Sequence, residues 1–191
     1  MKSVLRSIKP YYLYLIITGR KTVELGKDFP VSPEWDRKVE LYCSKDKKSF
    51  KRIPEADREW MRKYLGKVAC QFVCDKDESR WFYMDTDGTP ISNIKSDYEQ
   101  ASCLKRKEII DYILRPNKKR NAEKGTNWVH GWHITNLKVF EKPKGLNELY
   151  YRCKTSCYNC KNPRYFDGSC DERGRYRIKL PPQSWQYMET V

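Results

Sequence analysis

The sequence predicts an α+β fold, a small mixed β-barrel with flanking helices. Three observations predict it. Short runs of alternating or β-branched residues recur along the 191 residues, which is the period of half-buried strands. Helix-length apolar segments are few, and each is bounded by Gly or Pro. No window approaches the roughly 18 apolar residues of a membrane span, so the elements must bury their apolar faces against one another.

The elements follow in order. Val4 to Ile8 alternates and reads as a first strand. Pro10 opens a helix over Tyr11 to Thr18, since its missing N–H costs nothing in a first turn, and Gly19 closes it. Lys21 to Leu25 is a short strand, and Pro30 and Pro33 mark a loop. Lys38 to Cys43 alternates charged and apolar residues as a half-buried strand does. Residues 45–67 hold nine basic and four acidic side chains, with a helix from Glu55 to Tyr64 set between Pro54 and Gly66. Val68 to Cys74 reads as a buried strand. Residues 75–98 are polar, with a turn at Asp87-Gly88, and read as an insertion or hairpin. Leu104 to Leu114 puts Ile109, Ile110, Ile113 and Leu114 on one helical face, with Ser102 as N-cap. A basic loop over 117–127 leads to a strand at Trp128 to Glu141, which Pro143 stops. A helical turn at Leu146 to Tyr150 and a last strand at Ser184 to Val191 complete the set. The expected organisation is a barrel core over 1–150 with an insertion around 75–127. A cysteine-bearing insertion follows over 151–180, and residues 181–191 complete the barrel.

The formal net charge is +14. Such a charge opposes compaction through self-repulsion, and a polyanionic partner is the usual reason to carry it. Nucleic acid comes first, an acidic protein second and an anionic membrane third, because no stretch reads as a long basic amphipathic helix. Aromatics make up 14% of the residues and can serve as core or as stacking surface for bases. Met1 to Arg6 places charge where the apolar region of a secretory signal would run, so the expected compartment is the reducing cytoplasm. Eight cysteines there read as thiols or metal ligands before disulfides.

Cys153, Cys157, Cys160 and Cys170 are spaced C-x3-C-x2-C-x9-C. Zinc takes four soft ligands in a tetrahedron, and a C-x2-C turn supplies two of them with little ordering cost. The segment has too few aliphatic residues for a core of its own, a lack that a structural zinc would make good. Free surface thiols and a redox pair are the alternatives. Cys43, Cys70, Cys74 and Cys103 fall in strand or helix patterns, as small core residues do.

Three stretches together resemble the ASCH domain, a branch of the PUA-like superfamily. Val4-Leu5-Arg6-Ser7-Ile8-Lys9-Pro10 with Thr18-Gly19-Arg20-Lys21-Thr22-Val23-Glu24-Leu25 is similar to the family's strand–helix–strand opening, whose signature is G-x-K-x-x-E. Gly131-Trp132-His133-Ile134-Thr135-Asn136-Leu137 is similar to the W-H-I-S-x-L strand of phage and bacterial members. Leu180-Pro181-Pro182-Gln183-Ser184-Trp185-Gln186-Tyr187-Met188-Glu189 is similar to the ending of the same group. The resemblance implies a PUA-like β-barrel whose cleft receives RNA or a nucleotide. Gly26 stands where the family often has arginine, with Lys27 beside it as a substitute.

The candidate binding residues are Lys9, Arg20, Lys21, Glu24, Lys118, Lys119, Arg120, Trp132, His133, Ser184 and Trp185. Lysine and arginine can pair with phosphate or simply solvate a helix end or loop. Glu24 can accept from a base amino group or form a surface ion pair with Lys21, although strand periodicity would send those two side chains to opposite faces. Trp132 and Trp185 can stack on bases or fill the core.

Three functions stand open. The first is binding of RNA or single-stranded nucleic acid through a basic cleft. The second is hydrolysis, as ribonuclease or amidohydrolase, with Lys21 and Glu24 as the catalytic pair. The amidohydrolase pattern places a nucleophilic threonine three residues after the motif lysine, where this chain has Glu24. The third is phage-encoded inhibition of a protein of the host nucleic-acid machinery, in the host cytoplasm. None of the three calls for a membrane.

Overall fold

The computed structural model describes residues 2–27, 37–74, 80–84, 89–92, 98–115, 128–152, 170 and 175–189. The fold is mixed α+β. The chain divides into two compact units, one of residues 1–13, 38–71 and 138–191, the other of 14–37 and 72–137.

The first unit is organised around β1 (Lys2–Ile8). It runs parallel to β3 (Arg37–Cys43), with Val4 opposite Val39, and antiparallel to β10 (Trp185–Glu189), with Val4 opposite Tyr187. Strand β8 (Tyr150–Arg152) continues the sheet from β10, and β9 (Arg175–Arg177) continues it from β8. Both Val4 and Leu5 are fully buried, so β1 is covered on both faces. On one face Leu5, Tyr42, Val68, Leu149, Ile178 and Met188 form a cluster. Each fully buried aliphatic side chain there stabilises the fold by about 1.5–3 kcal/mol. Two helices belong to this unit, α2 (Lys47–Phe50) and α3 (Glu55–Arg62).

The second unit is built on β7 (Trp128–Lys144), whose first ten residues belong to it. Strand β2 (Val23–Gly26) pairs antiparallel with β7, Glu24 opposite Trp132. On its other edge β7 pairs with β5 (Arg80–Met84), which forms a hairpin with β6 (Pro90–Ser92). Helices α4 (Tyr98–Ser102) and α5 (Arg106–Leu114) complete the unit. Val23, Leu25, Ala101, Ile109, Ile113 and Val129 form its core. Helix α1 (Pro10–Ile17) and β4 (Val68–Cys74) contribute residues to both units.

Several expectations are met closely. Gly19 has φ +73°, the left-handed cap expected after α1. Strand β4 has the expected limits, and the polar stretch 75–98 contains the β5–β6 hairpin. Cys43, Cys70 and Cys74 are buried. Burial pushes the Cys43 and Cys70 thiols up to about 12, which keeps them protonated and inert.

Other expectations are corrected. Ser102 ends α4 instead of capping the next helix; the Glu108 carboxylate accepts from the Lys105 N–H at 2.9 Å and caps α5. Cys103 is only half-buried and takes φ +53° in the turn between the two helices. Glu40 does not face solvent. It is 1% exposed, because the apolar cluster covers its face of β3, and Lys144 Nζ lies 3.3 Å from its carboxylate. Pro143 does not end β7, which runs through it to Lys144. Cys153, Cys157 and Cys160 lie outside the described residues, whereas Cys170 forms an isolated bridge with Tyr176. No described helix is long and apolar enough to cross a membrane.

The Glu40–Lys144 pair gives a test of this core. Removing one partner of a buried ion pair strands the other charge, at about 3–5 kcal/mol when both are sealed. Lys144 is one-third exposed, so we expect Lys144→Met to lower stability by about 2 kcal/mol. Adding Glu40→Gln should restore most of that loss, as read by urea denaturation.

Candidate functional site

The candidate site begins where α1 ends. The N–H groups of Arg20 and Lys21 both donate to the Leu15 carbonyl, at 2.9 and 3.0 Å, and fix the exit of the chain from the helix. From there residues 20–22 are joined to 101–103 by three contacts. The Thr22 N–H donates to the Ala101 carbonyl at 3.0 Å, Cys103 Sγ lies 3.0 Å from the Arg20 carbonyl, and Lys21 Nζ donates to the Ser102 carbonyl at 2.6 Å. The left-handed turn at Cys103 lets the chain reverse at that point.

Lys21 precedes β2, so the strand's two-residue period does not govern its direction. Its ammonium reaches Glu24 Oε2 at 3.3 Å, and the two side chains meet. Their exposure is unequal: 1% for the lysine side chain and 12% for the glutamate. Placing an ammonium in the interior costs several kcal/mol unless charge and hydrogen bonds compensate it. Here a carboxylate and a backbone carbonyl do so. The glutamate is therefore the less buried member of the pair, and the cation behind it is sealed.

The β2–β7 register places the neighbours. Paired residues share a face, so Trp132 lies on the Glu24 side and His133, opposite Val23, on the other. Trp132 is fully buried and packs as interior. His133 is half-buried.

The remaining sequence candidates fall in the first unit, in the second unit or outside the described residues. Arg20 is exposed, stacked 4.7 Å above the Tyr14 ring, with Nε donating to Thr18 Oγ1 at 3.2 Å. Lys9, in the first unit, lies 3.7 Å from Asp46. The Asp46 carboxyl is held below its ordinary value, first by the Ser49 N–H, with burial opposing and Lys9 adding to the lowering. Ser184 and Trp185 also belong to the first unit; the Ser184 carbonyl accepts from the Ser7 N–H at 3.0 Å, and Trp185 meets Tyr187 edge-on at 5.3 Å. Lys118, Lys119 and Arg120 lie outside the described residues. Lys27 is engaged structurally: its Nζ donates to the Ile113 carbonyl at 2.5 Å in the last turn of α5.

One residue escaped the sequence reading. Arg6 is 4% exposed, at the centre of β1 opposite Trp185. The signal was present, since Arg6 shares a strand face with Val4 and Ile8.

No protein-family model and no curated protein matches the sequence. Solved structures do match. A crystal structure of ASCH from Zymomonas mobilis aligns with a TM-score of 0.54 at 14% identity, covering 98% of this chain and 87% of that one. A serine-to-alanine variant of that same protein aligns at 0.52 and 13% identity, covering 98% and 88%. The chain thus has the ASCH fold.

The energetic coupling of the buried pair is measurable by a double-mutant cycle. For Lys21→Met and Glu24→Gln we expect a coupling of about 1–3 kcal/mol in urea denaturation. Glu24→Gln alone should be the more damaging single change, because it leaves the sealed Lys21 ammonium without its counter-charge, whereas the Glu24 side chain keeps some exposure to water.

Proposed function

We propose that this ASCH-fold chain binds RNA, receiving one unpaired base at the Glu24 carboxylate while basic side chains hold the backbone. The observation that carries the proposal is the Lys21–Glu24 pair, with its lysine sealed and its glutamate side chain 12% exposed. A buried ion pair is weak as a stabilising device. As a recognition device it is apt, because a fixed carboxylate accepts hydrogen bonds from an exocyclic amino group such as that of cytosine or adenine. The net charge of +14 supplies the sequence-independent attraction to phosphate.

Hydrolysis of an amide is the poorer reading. Glu24 occupies the position of the expected nucleophile. Phosphodiester cleavage is favoured only by the closeness of Lys21 and Glu24. Titration of labelled single-stranded RNA separates these readings. Binding should weaken as salt rises, and Glu24→Gln should weaken it by about 10-fold or more for amino-bearing bases, since a specific base contact is worth about 1–3 kcal/mol. Intact RNA after incubation is the expected result. Cleavage lost in Lys21→Met would instead establish the nuclease, and no binding at any salt would leave inhibition of a host protein as the remaining reading.

We also propose that Cys153, Cys157, Cys160 and Cys170 hold one structural zinc. The support is their spacing and the scarcity of aliphatic residues between them. Elemental analysis should find about one zinc per chain, retained on dialysis and lost in Cys157→Ser.

A further inference from the structure

The segment 45–67 carries nine basic and four acidic side chains, and the function proposed above leaves them unused. The structure sorts them unevenly. Helix α3 is balanced: Glu55, Asp57 and Glu59 accompany Arg58 and Arg62, and Arg62 pairs with Glu59 at 3.3 Å. Residues 45–52 hold five cations, and Asp46 is the one carboxylate among them. That carboxylate is already engaged, accepting from the Ser49 N–H at 3.1 Å as the N-cap of α2 and pairing with Lys9.

Lys47, Lys48, Lys51 and Arg52 are all exposed. Their spacings of one and four residues place them on one face of α2 and its C-terminal extension, the two rows of cations separated by about 6 Å along the axis. The opposite face is anchored. Ser49 is buried and its Oγ accepts from the Tyr11 N–H at 3.1 Å. Arg52 is fixed by stacking, its guanidinium 4.1 Å above the Tyr11 ring and 5.7 Å from that of Tyr12. Stacking occupies a face of the guanidinium and leaves its edge of N–H donors to phosphate.

We infer that α2 and its extension form a second contact surface for nucleic acid, gripping the sugar–phosphate backbone through Lys47, Lys48, Lys51 and Arg52. The inference rests on the RNA-binding reading and extends it to residues of the first unit. Point-charge lysines beside a fixed arginine suit phosphate and carry no base readout. An acidic protein would want an apolar centre to its interface, yet the exposed large apolar residues among those described are Leu114, Leu180 and Tyr187, none of them in this segment. A bilayer would want an apolar wedge, and the exposed residues of α2 and its extension are all cations.

The test compares two triple variants of equal charge, Lys47→Gln/Lys48→Gln/Lys51→Gln and Lys138→Gln/Lys142→Gln/Lys179→Gln. All six lysines are exposed, so both proteins should fold, and thermal melts check this. The readout is the slope of log affinity against log salt for single-stranded RNA. Three lost contacts should lower it by about 2, at roughly 0.7 each, in the α2 variant alone. An unchanged slope in the α2 variant, or an equal fall in both, overturns the inference. So does a wild-type protein that binds no RNA, which overturns the base-site reading as well. Failure of the base site alone shows itself separately, as Glu24→Gln binding like wild type while the α2 slope still falls.

Discussion

The second unit depends on neutralising one buried ammonium. Lys21 leaves α1 at a point fixed by two hydrogen bonds to the Leu15 carbonyl, and its side chain is driven inward. An isolated ammonium there would cost several kcal/mol. The Glu24 carboxylate and the Ser102 carbonyl offset that cost, and each brings an element with it. Glu24 brings β2, which carries Val23 and Leu25 into the core, while Ser102 brings the α4–α5 turn, which carries Ala101, Ile109 and Ile113. One charge thus sets the placement of a strand and two helices, and the Thr22 to Ala101 bond locks the same junction from the backbone.

The large positive charge is not one property. Some cations are structural: Lys21 in its ion pair, Lys27 on the last turn of α5, Lys144 against Glu40. These are committed to their partners. Others, such as those of α2, stand on an exposed face, and the one carboxylate within residues 45–52 is already engaged. Only this second class can contribute counterion release on binding. A count of lysines and arginines therefore overstates the surface available to phosphate, and burial and pairing correct it.

Much of the fold was legible because its signals are local. Pro10 and Gly19 bracket α1, and an apolar run broken by Gln71 alone gives β4. What stayed hidden was non-local. Glu40 reads as the polar phase of a half-buried strand, and only Lys144, a hundred positions away, makes its burial tolerable. Helix α2 is a single turn whose anchor is Ser49 against α1, so it carries no periodicity to read. The meeting of Lys21 with Glu24 could not follow from strand alternation, because β2 begins only at Val23. Trp132 was ambiguous by nature, since an aromatic residue in a strand fits a core and a stacking platform equally well; the register and its complete burial decide for the core.

The unequal exposure of the central pair bears on how any ligand would meet it. Glu24 keeps a small solvent-facing area and Lys21 has almost none. A base or phosphate approaching this point touches the carboxylate first. The lysine then acts through Glu24, fixing its orientation, and in the proposed reading is a positioning residue. Lysine acting as nucleophile or proton acceptor needs its nitrogen at the reacting atom, and here the carboxylate and the Ser102 carbonyl engage that nitrogen in the interior. An anionic acceptor held in place by a buried cation selects a hydrogen-bond donor. Such an acceptor suits the base edge of the reading proposed above, which would give a reason to keep a charge pair where two apolar residues would pack more cheaply.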